Sequence, residues 1–287
     1  MAGAAVIWGR YLIPHLTWLL GYTGYIYSKI VFDAERRSGG KNQQATLIDK
    51  WTFLMTELNT YLTKHYLNEA QLTAAAALSV DALDSLIRNR LVPAPSYVIT
   101  DSGKICSFVF GEMDAAGGRP GRYFHPSQVV WIERARRAVA SGAEHDAEVR
   151  LKEQFTMNFA TALATLNLST WRMPDSFDEN GAPVSDGLLV RTESAWKYFL
   201  NGTFALCVAN PISEFHIAHK EVLQEKLMHQ SENGSKGIYS AEQAVKMHEL
   251  IDAYAAAAMF FSPIEYPRSS RKRLVEDLRK SMIATAS

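Results

Sequence analysis

Cysteine is nearly absent from this chain: Cys106 and Cys207 are far apart and form no Cys-x-x-Cys pair. That pattern argues against a disulfide scaffold or a cysteine zinc site, and for free, packed thiols in a reducing compartment. Net charge is missing as well, because 30 basic residues balance 30 acidic ones. A neutral chain carries no global electrostatic footprint for nucleic acid. No GxxxxGK[ST] loop and no GxGxxG turn between strand and helix is present. The run Gly117-Gly118-Arg119-Pro120-Gly121 is glycine-rich and basic, but Pro120 offers no amide to a phosphate. There is no GxSxG elbow to expose a serine nucleophile, no HExxH, no internal repeat and no low-complexity tract. The sequons at Asn167, Asn201 and Asn233 lack a secretory context and are read as chance matches.

What is present is the composition of a folded protein. With 287 residues, 47% hydrophobic and 21% charged, the chain is long enough for one large domain or two modest ones with a sizeable core.

The most apolar span is Tyr11 to Phe32, followed at once by the polar run Asp33 to Gln44. A cleaved signal is disfavoured by a lone Arg10 before the stretch and no small-x-small site after it, and a mitochondrial presequence by its composition. The stretch has the length of a membrane-spanning helix. Tyr11, Trp18, Tyr22, Tyr25 and Tyr27 suit the membrane interface, and Thr17 and Gly21 give a small-xxx-small spacing for a neighbouring helix. Pro14, His15 and Lys29 make it a poor solitary span, so an interfacial helix or a helix packed on protein are the alternatives. If the stretch spans, Lys29, Arg36, Arg37 and Lys41 outnumber Arg10, which would place the body on a cytoplasmic or matrix-like side.

The remaining pattern is helical. Leu47, Trp51, Leu54, Leu58, Leu62 and Tyr66 form one stripe at helical spacing. Asn68 to Leu78 is alanine-rich, and Ser79 is placed to cap a helix over 80–91. Residues 96–110 have hairpin composition around Asp101-Ser102-Gly103, and Gly111 to Phe124 reads as an irregular loop. Ser127 is placed to cap a helix to Ser141. A longer helix follows over 144–168, striped by Val149, Phe155, Phe159, Leu163 and Leu166. Pro, Gly and Asp crowd 173–187, the best candidate for a subdomain boundary. Further helices are expected from a Thr192 cap to Asn210, over 212–229, from the Ser240-to-Gln243 capping box to about Phe261, and from Ser269 or Ser270 onward.

Candidate chemistry is sparse. His216 and His219, at i and i+3 on one helix face, are the best metal pair, but no third ligand is set by spacing. The Asp175-to-Gly187 loop fails as a calcium site: aligning Gly181 to the required turn puts Gly187 where a bidentate Glu is needed. Arg119, Arg122, Arg134, Arg136 and Arg137, interleaved with Tyr123, Phe124 and Trp131, and the cluster Arg271, Lys272 and Arg273 suit single-stranded nucleic acid or an acidic partner.

The expectation is therefore a mainly α protein, an irregular multi-helix bundle with one β-hairpin at about 96–110 and an N-terminal hydrophobic helix. Its parts are an anchor at 1–32, a linker at 33–45, a helical subdomain with the hairpin at 46–172, a loop at 173–187 and a C-terminal helical subdomain at 188–287. The functional expectation is a non-enzymatic, membrane-tethered accessory subunit of a larger assembly. Its partners would be other protein subunits and the lipid bilayer, with no catalytic residues and no cofactor. A helical nucleic-acid-binding coat protein, or a metal-dependent enzyme using His216 and His219, are the alternatives.

Overall fold

A computed structural model describes residues 57–115, 117–142 and 146–285. The expected anchor, the linker and the N-terminal part of the Leu47-to-Tyr66 stripe lie outside the described residues, with Tyr11, Trp18, Gly21, Tyr22, Tyr25 and Tyr27 among them.

The protein is mostly helical with a small antiparallel sheet. Helix α1 covers 57–65 and buries Leu58 and Leu62, the described part of the stripe. Helix α2 (Glu69–Ala75) opens on a capping box in which Asn68 and Gln71 satisfy each other's backbone amides. Helix α3 (Val80–Arg88) is capped by Ser79, whose hydroxyl accepts from the Ala82 amide, and Leu83 faces the core. The expected hairpin is present as β2 (Tyr97–Ile99) and β3 (Lys104–Ser107), paired Ile99 to Ile105, with Gly103 at φ +75° in the turn.

Gly111 to Phe124 is not an irregular loop. It supplies β4 (Gly111–Asp114) and β5 (Gly121–Phe124), and with β1 (Leu67–Asn68) they extend the hairpin to a sheet ordered β1-β5-β2-β3-β4. The Gly-Glu-Met-Asp sequence of β4 misled because an exposed edge strand has no apolar face to alternate with.

Four helices carry the larger core: α4 (Gln128–Ala140), α5 (Ala147–Ser169), α6 (Ser185–Leu200) and α8 (Glu214–Gln230), with the short α7 (Thr203–Cys207) between the last two. Phe155, Phe159, Leu163 and Leu166 of the α5 stripe are buried, but Val149 is 54% exposed. Ser127 precedes α4 without capping it, because its hydroxyl is held by His125 Nδ1 at 2.8 Å. Thr192 is no cap either: α6 starts at Ser185, and the Thr192 hydroxyl donates to the Leu189 carbonyl. The helix expected to reach Asn210 breaks at Gly202 (φ +82°), where a Cβ would meet the Ala94 carbonyl oxygen at 2.9 Å. Loop 173–187 contributes Met173 and Phe177 to this same core.

A third cluster joins α8 to α9 (Ala241–Ala257), which opens on the Ser240–Gln243 capping box. The last helix, over 270–281, widens to a π-helix at Lys272–Asp277 and ends as α10 (Leu278–Ser281). The strands β6 (Ile238–Ser240) and β7 (Ile283–Thr285), too short to stand out in the pattern, pair in parallel.

Candidate functional site

The described surface has an open cleft of about 450 Å³ between α1 and residues 260–266. Spacing along α1 builds one wall. Leu58 and Leu62 turn into the core, so Glu57, Tyr61, Lys64 and His65, at i, i+4, i+7 and i+8, share the cleft side. The other wall is extended chain. Helix α9 stops at Ala258, which is extended (φ −89°, ψ 136°), and the Met259 amide donates to the Cys207 carbonyl at 3.0 Å. Extended backbone sends successive side chains to opposite faces. Met259 and Phe261 are therefore 3% and 6% exposed, while Phe260 between them is 54% exposed.

Ser262-Pro263-Ile264-Glu265 then closes a turn, with the Glu265 amide donating to the Ser262 carbonyl at 3.0 Å. The turn drives the Glu265 carboxylate inward, where it is buried and accepts from Tyr97 (2.6 Å), Ser107 (2.7 Å) and Ser262 (2.9 Å) hydroxyls. Burial pushes the Glu265 carboxyl up from its ordinary value, and those three hydrogen bonds oppose the rise. Tyr61 connects this hub to the cleft: its hydroxyl donates to the Phe260 carbonyl and lies 3.4 Å from both Tyr66 and Tyr97 hydroxyls. Burial raises all three tyrosines, so their hydroxyls stay protonated at neutral pH. The network fixes the sheet, α1 and the 259–266 segment to one another.

The reachable chemistry of the cleft is thus ring faces and a few charges. Arg271 places its guanidinium 4.1 Å from the Phe260 ring centroid, and His65 stands 5.8 Å from the same ring. His65 is lowered in pKa by burial and by Lys64. Lys64 and Glu57 form no ion pair among the described residues. Such a lining is mostly apolar and aromatic, with Glu57, Lys64 and His65 supplying its polar groups.

Most of the expected basic residues have partners within the fold. Arg134 is spent internally: its Nη1 donates to both oxygens of buried Glu214 at 2.9 Å, and its guanidinium lies 4.3 Å from the Trp131 centroid. Arg122 binds Glu69 and Asp84. Arg136 donates to the Ala77 carbonyl, Arg137 pairs with Glu133 one turn away, and Arg119 is exposed. Arg271 caps the end of α9 through the Ala255 and Ala258 carbonyls, Lys272 pairs with Glu276 and Asp277, and half-buried Arg273 is lowered in pKa by burial. Arg122 and Arg134 therefore hold the fold together.

His216 is held at Nδ1 by the Ser213 hydroxyl at 2.7 Å, and Phe215 stacks on His219 at 6.0 Å. Among the described residues no group of three His, Cys, Asp or Glu is placed to hold a metal ion. Both cysteines are free thiols, and burial pushes Cys207 up to about 12. No single helix among the described residues is long and apolar enough to cross a membrane.

The residues sequence reasoning missed are Glu57, Tyr61, Lys64, His65 and Glu265. A second face on α1 beside its apolar stripe, and a Ser-x-x-Glu turn directly after an aromatic run, were the available signals.

Residues 151–283, which contain α6, α8, α9 and the Phe260–Tyr266 wall, match a family model described as "Family of unknown function (DUF6058)". No curated protein and no solved structure matches the chain.

Proposed function

We propose that this protein is a non-enzymatic, membrane-tethered accessory subunit of a larger assembly. Its apolar N-terminal stretch supplies the tether, and its helical body contributes a cleft for an apolar protein segment. The observation that carries this reading is the cleft itself. An extended strand of chain holds Phe260 outward against Arg271 and His65, over a floor that the Tyr61–Tyr97–Glu265 network makes rigid. That ring lines a concave cleft together with Tyr61, Pro263 and Tyr266, and an aromatic lining of this kind supports a partner surface. The nucleic-acid alternative loses support where Arg122 and Arg134 are committed to carboxylates inside the fold.

Alkaline carbonate extraction of membranes from cells expressing the full chain tests the tether. The proposal expects the protein to stay in the pellet. Quantitative release into the carbonate supernatant, with an intact bilayer marker retained, overturns it.

A further inference from the structure

We propose that a single buried water binds in the small cavity where α4, α5, α6 and α8 meet, accepting from the Trp196 indole and donating to the Glu214 carboxylate. The site is separate from the Phe260 cleft, and the inference does not rest on the reading given to that cleft.

The indole is the first observation. Trp196, on α6, is 2% exposed, yet its Nε1 has no hydrogen-bond partner among the described residues. A buried indole N–H ordinarily finds an acceptor, because it gives up its hydration on burial and regains nothing if left alone. The ring is also held where it is. Phe199 stacks on it with centroids 5.3 Å apart, and Phe155 leans against it at 5.4 Å. Trp131 supplies the contrast within the same core: its Nε1 donates to the Pro211 carbonyl at 2.7 Å, so protein alone satisfies it.

Room is the second observation. Trp196 lines a cavity of about 10 Å³ together with Trp131, Arg134, Gln154, Phe199 and Glu214. A water needs roughly 10–15 Å³ of such space and two to four polar partners. The cavity therefore has space for one water and no larger molecule.

The acceptor is the third. Glu214 is 4% exposed. Its Oε1 accepts from Arg134 at 2.9 Å and from Asn158 at 3.3 Å, whereas among the described residues its Oε2 accepts from Arg134 alone, at 2.9 Å. Each oxygen of an ionised carboxylate has sites for two donors, so Oε2 has one place open. Gln154, exposed at the edge of the cavity, offers a third partner and a way in from solvent.

Chemistry narrows the occupant. An anion is repelled by Glu214. A cation would suit the carboxylate but cannot accept the indole proton. A neutral group that both accepts and donates serves the two together, and the volume restricts it to water. Bridged in this way, α6 joins the polar node through which Arg134 and Asn158 already tie α4 and α5 to α8. A neutral water is a weaker donor than a guanidinium, so Arg134 remains the group that holds the Glu214 charge.

The test uses the full chain in mild detergent, with tryptophan alone isotopically labelled, and water-selective NOE and ROE nuclear magnetic resonance read at the indole protons. Loss of a signal in Trp196→Phe identifies the Trp196 indole. Should that variant fail to fold, contacts with the Phe155 and Phe199 rings identify it in the parent. The expected result is a Trp196-to-water cross-peak of opposite sign in the two experiments, which marks a bound water rather than proton exchange, with none at Trp131. No cross-peak at Trp196, an exchange peak alone, or an equal bound-water peak at Trp131 overturns the site. In Arg134→Met with Glu214→Met, which removes both charges together, the water contact should be lost from a retained Trp196 signal. A contact kept at parental strength in that variant overturns the bridge to Glu214.

Discussion

Replacing Arg134 with Ala should destabilise the fold severely, although the residue lies on a helix that reads as basic surface. Glu214 is 4% exposed, and in its place below α4 it receives both Arg134 bonds at 2.9 Å and a longer one from Asn158 at 3.3 Å. Removing the guanidinium leaves a buried carboxylate with one weak donor. Breaking a buried ion pair from one side costs roughly 3–5 kcal/mol. Because Arg134 itself is partly exposed, the lower end, about 3 kcal/mol, is expected, of which about 1 kcal/mol is the lost contact with the Trp131 ring. Glu214→Gln keeps a hydrogen-bonding group in place without the charge, at a cost of about 1 kcal/mol. In that background Arg134→Ala should cost only about 1 kcal/mol more, a coupling of about 2 kcal/mol between the two sites. Urea unfolding of the four proteins, followed by far-ultraviolet circular dichroism, measures the cycle. If Arg134→Ala lies within 0.5 kcal/mol of the parent, or costs the same with and without the Glu214 charge, the pairing of Arg134 with the buried Glu214 carboxylate is wrong.

Gly187→Ala should cost about 3 kcal/mol, because its Cβ would lie 1.6 Å from the Asp175 carbonyl oxygen. A thermal midpoint unchanged from the parent would refute that close approach. Buried Arg191, bound to Asp175 at 2.6 and 2.7 Å and to Glu225 at 2.8 Å, ties loop 173–187 to α8. Arg191→Met should open that loop to limited proteolysis near Asp178, and equal cleavage rates in both proteins would contradict it. His125 is pulled down to about 4 by burial, so the unfolded chain, titrating near 6.5, takes the proton first. Its contribution turns against folding as pH falls from about 6.5 to 4, by about 3 kcal/mol at full extent. Glu265 works in the opposite direction, since its raised carboxyl lets the folded state take a proton before the unfolded one does. Comparing His125→Asn with the parent across this window isolates the histidine: the variant should lack the acid-side loss, and parallel curves would refute the assignment.

The helical body was legible because its signals are local. The Ser79 and Ser240 caps, and the buried run Phe155, Phe159, Leu163 and Leu166, follow from spacing alone. Where a long-range contact decided the outcome, the reading failed. Ser127 had the right residue type in the right place, but His125 claims its hydroxyl. Gly202 breaks a helical pattern because the chain at Ala94 and Pro95 presses on it. Arg134 looked like solvent-facing charge because its partner is eighty positions away. The cleft was hidden for the same reason. The Met259-to-Phe261 run was visible as an aromatic cluster, but the partition of Phe260 from its neighbours depends on extended backbone that begins where α9 stops. Glu265 reaches Tyr97 and Ser107 across more than 150 positions of sequence, and the local Ser262-to-Glu265 turn does not announce that convergence.

The central claim, that this body works by association through the Phe260 cleft, is tested most directly by native electrophoresis of mild-detergent membrane extracts. The full chain should be compared with Phe260→Ala, which removes an exposed ring and leaves the buried network intact. The account predicts that the parent migrates in an assembly larger than one chain, and that Phe260→Ala shifts most of the protein to the free subunit while its thermal midpoint is preserved. A parent that runs as the free subunit, or a variant that stays in an assembly of undiminished size, would contradict it.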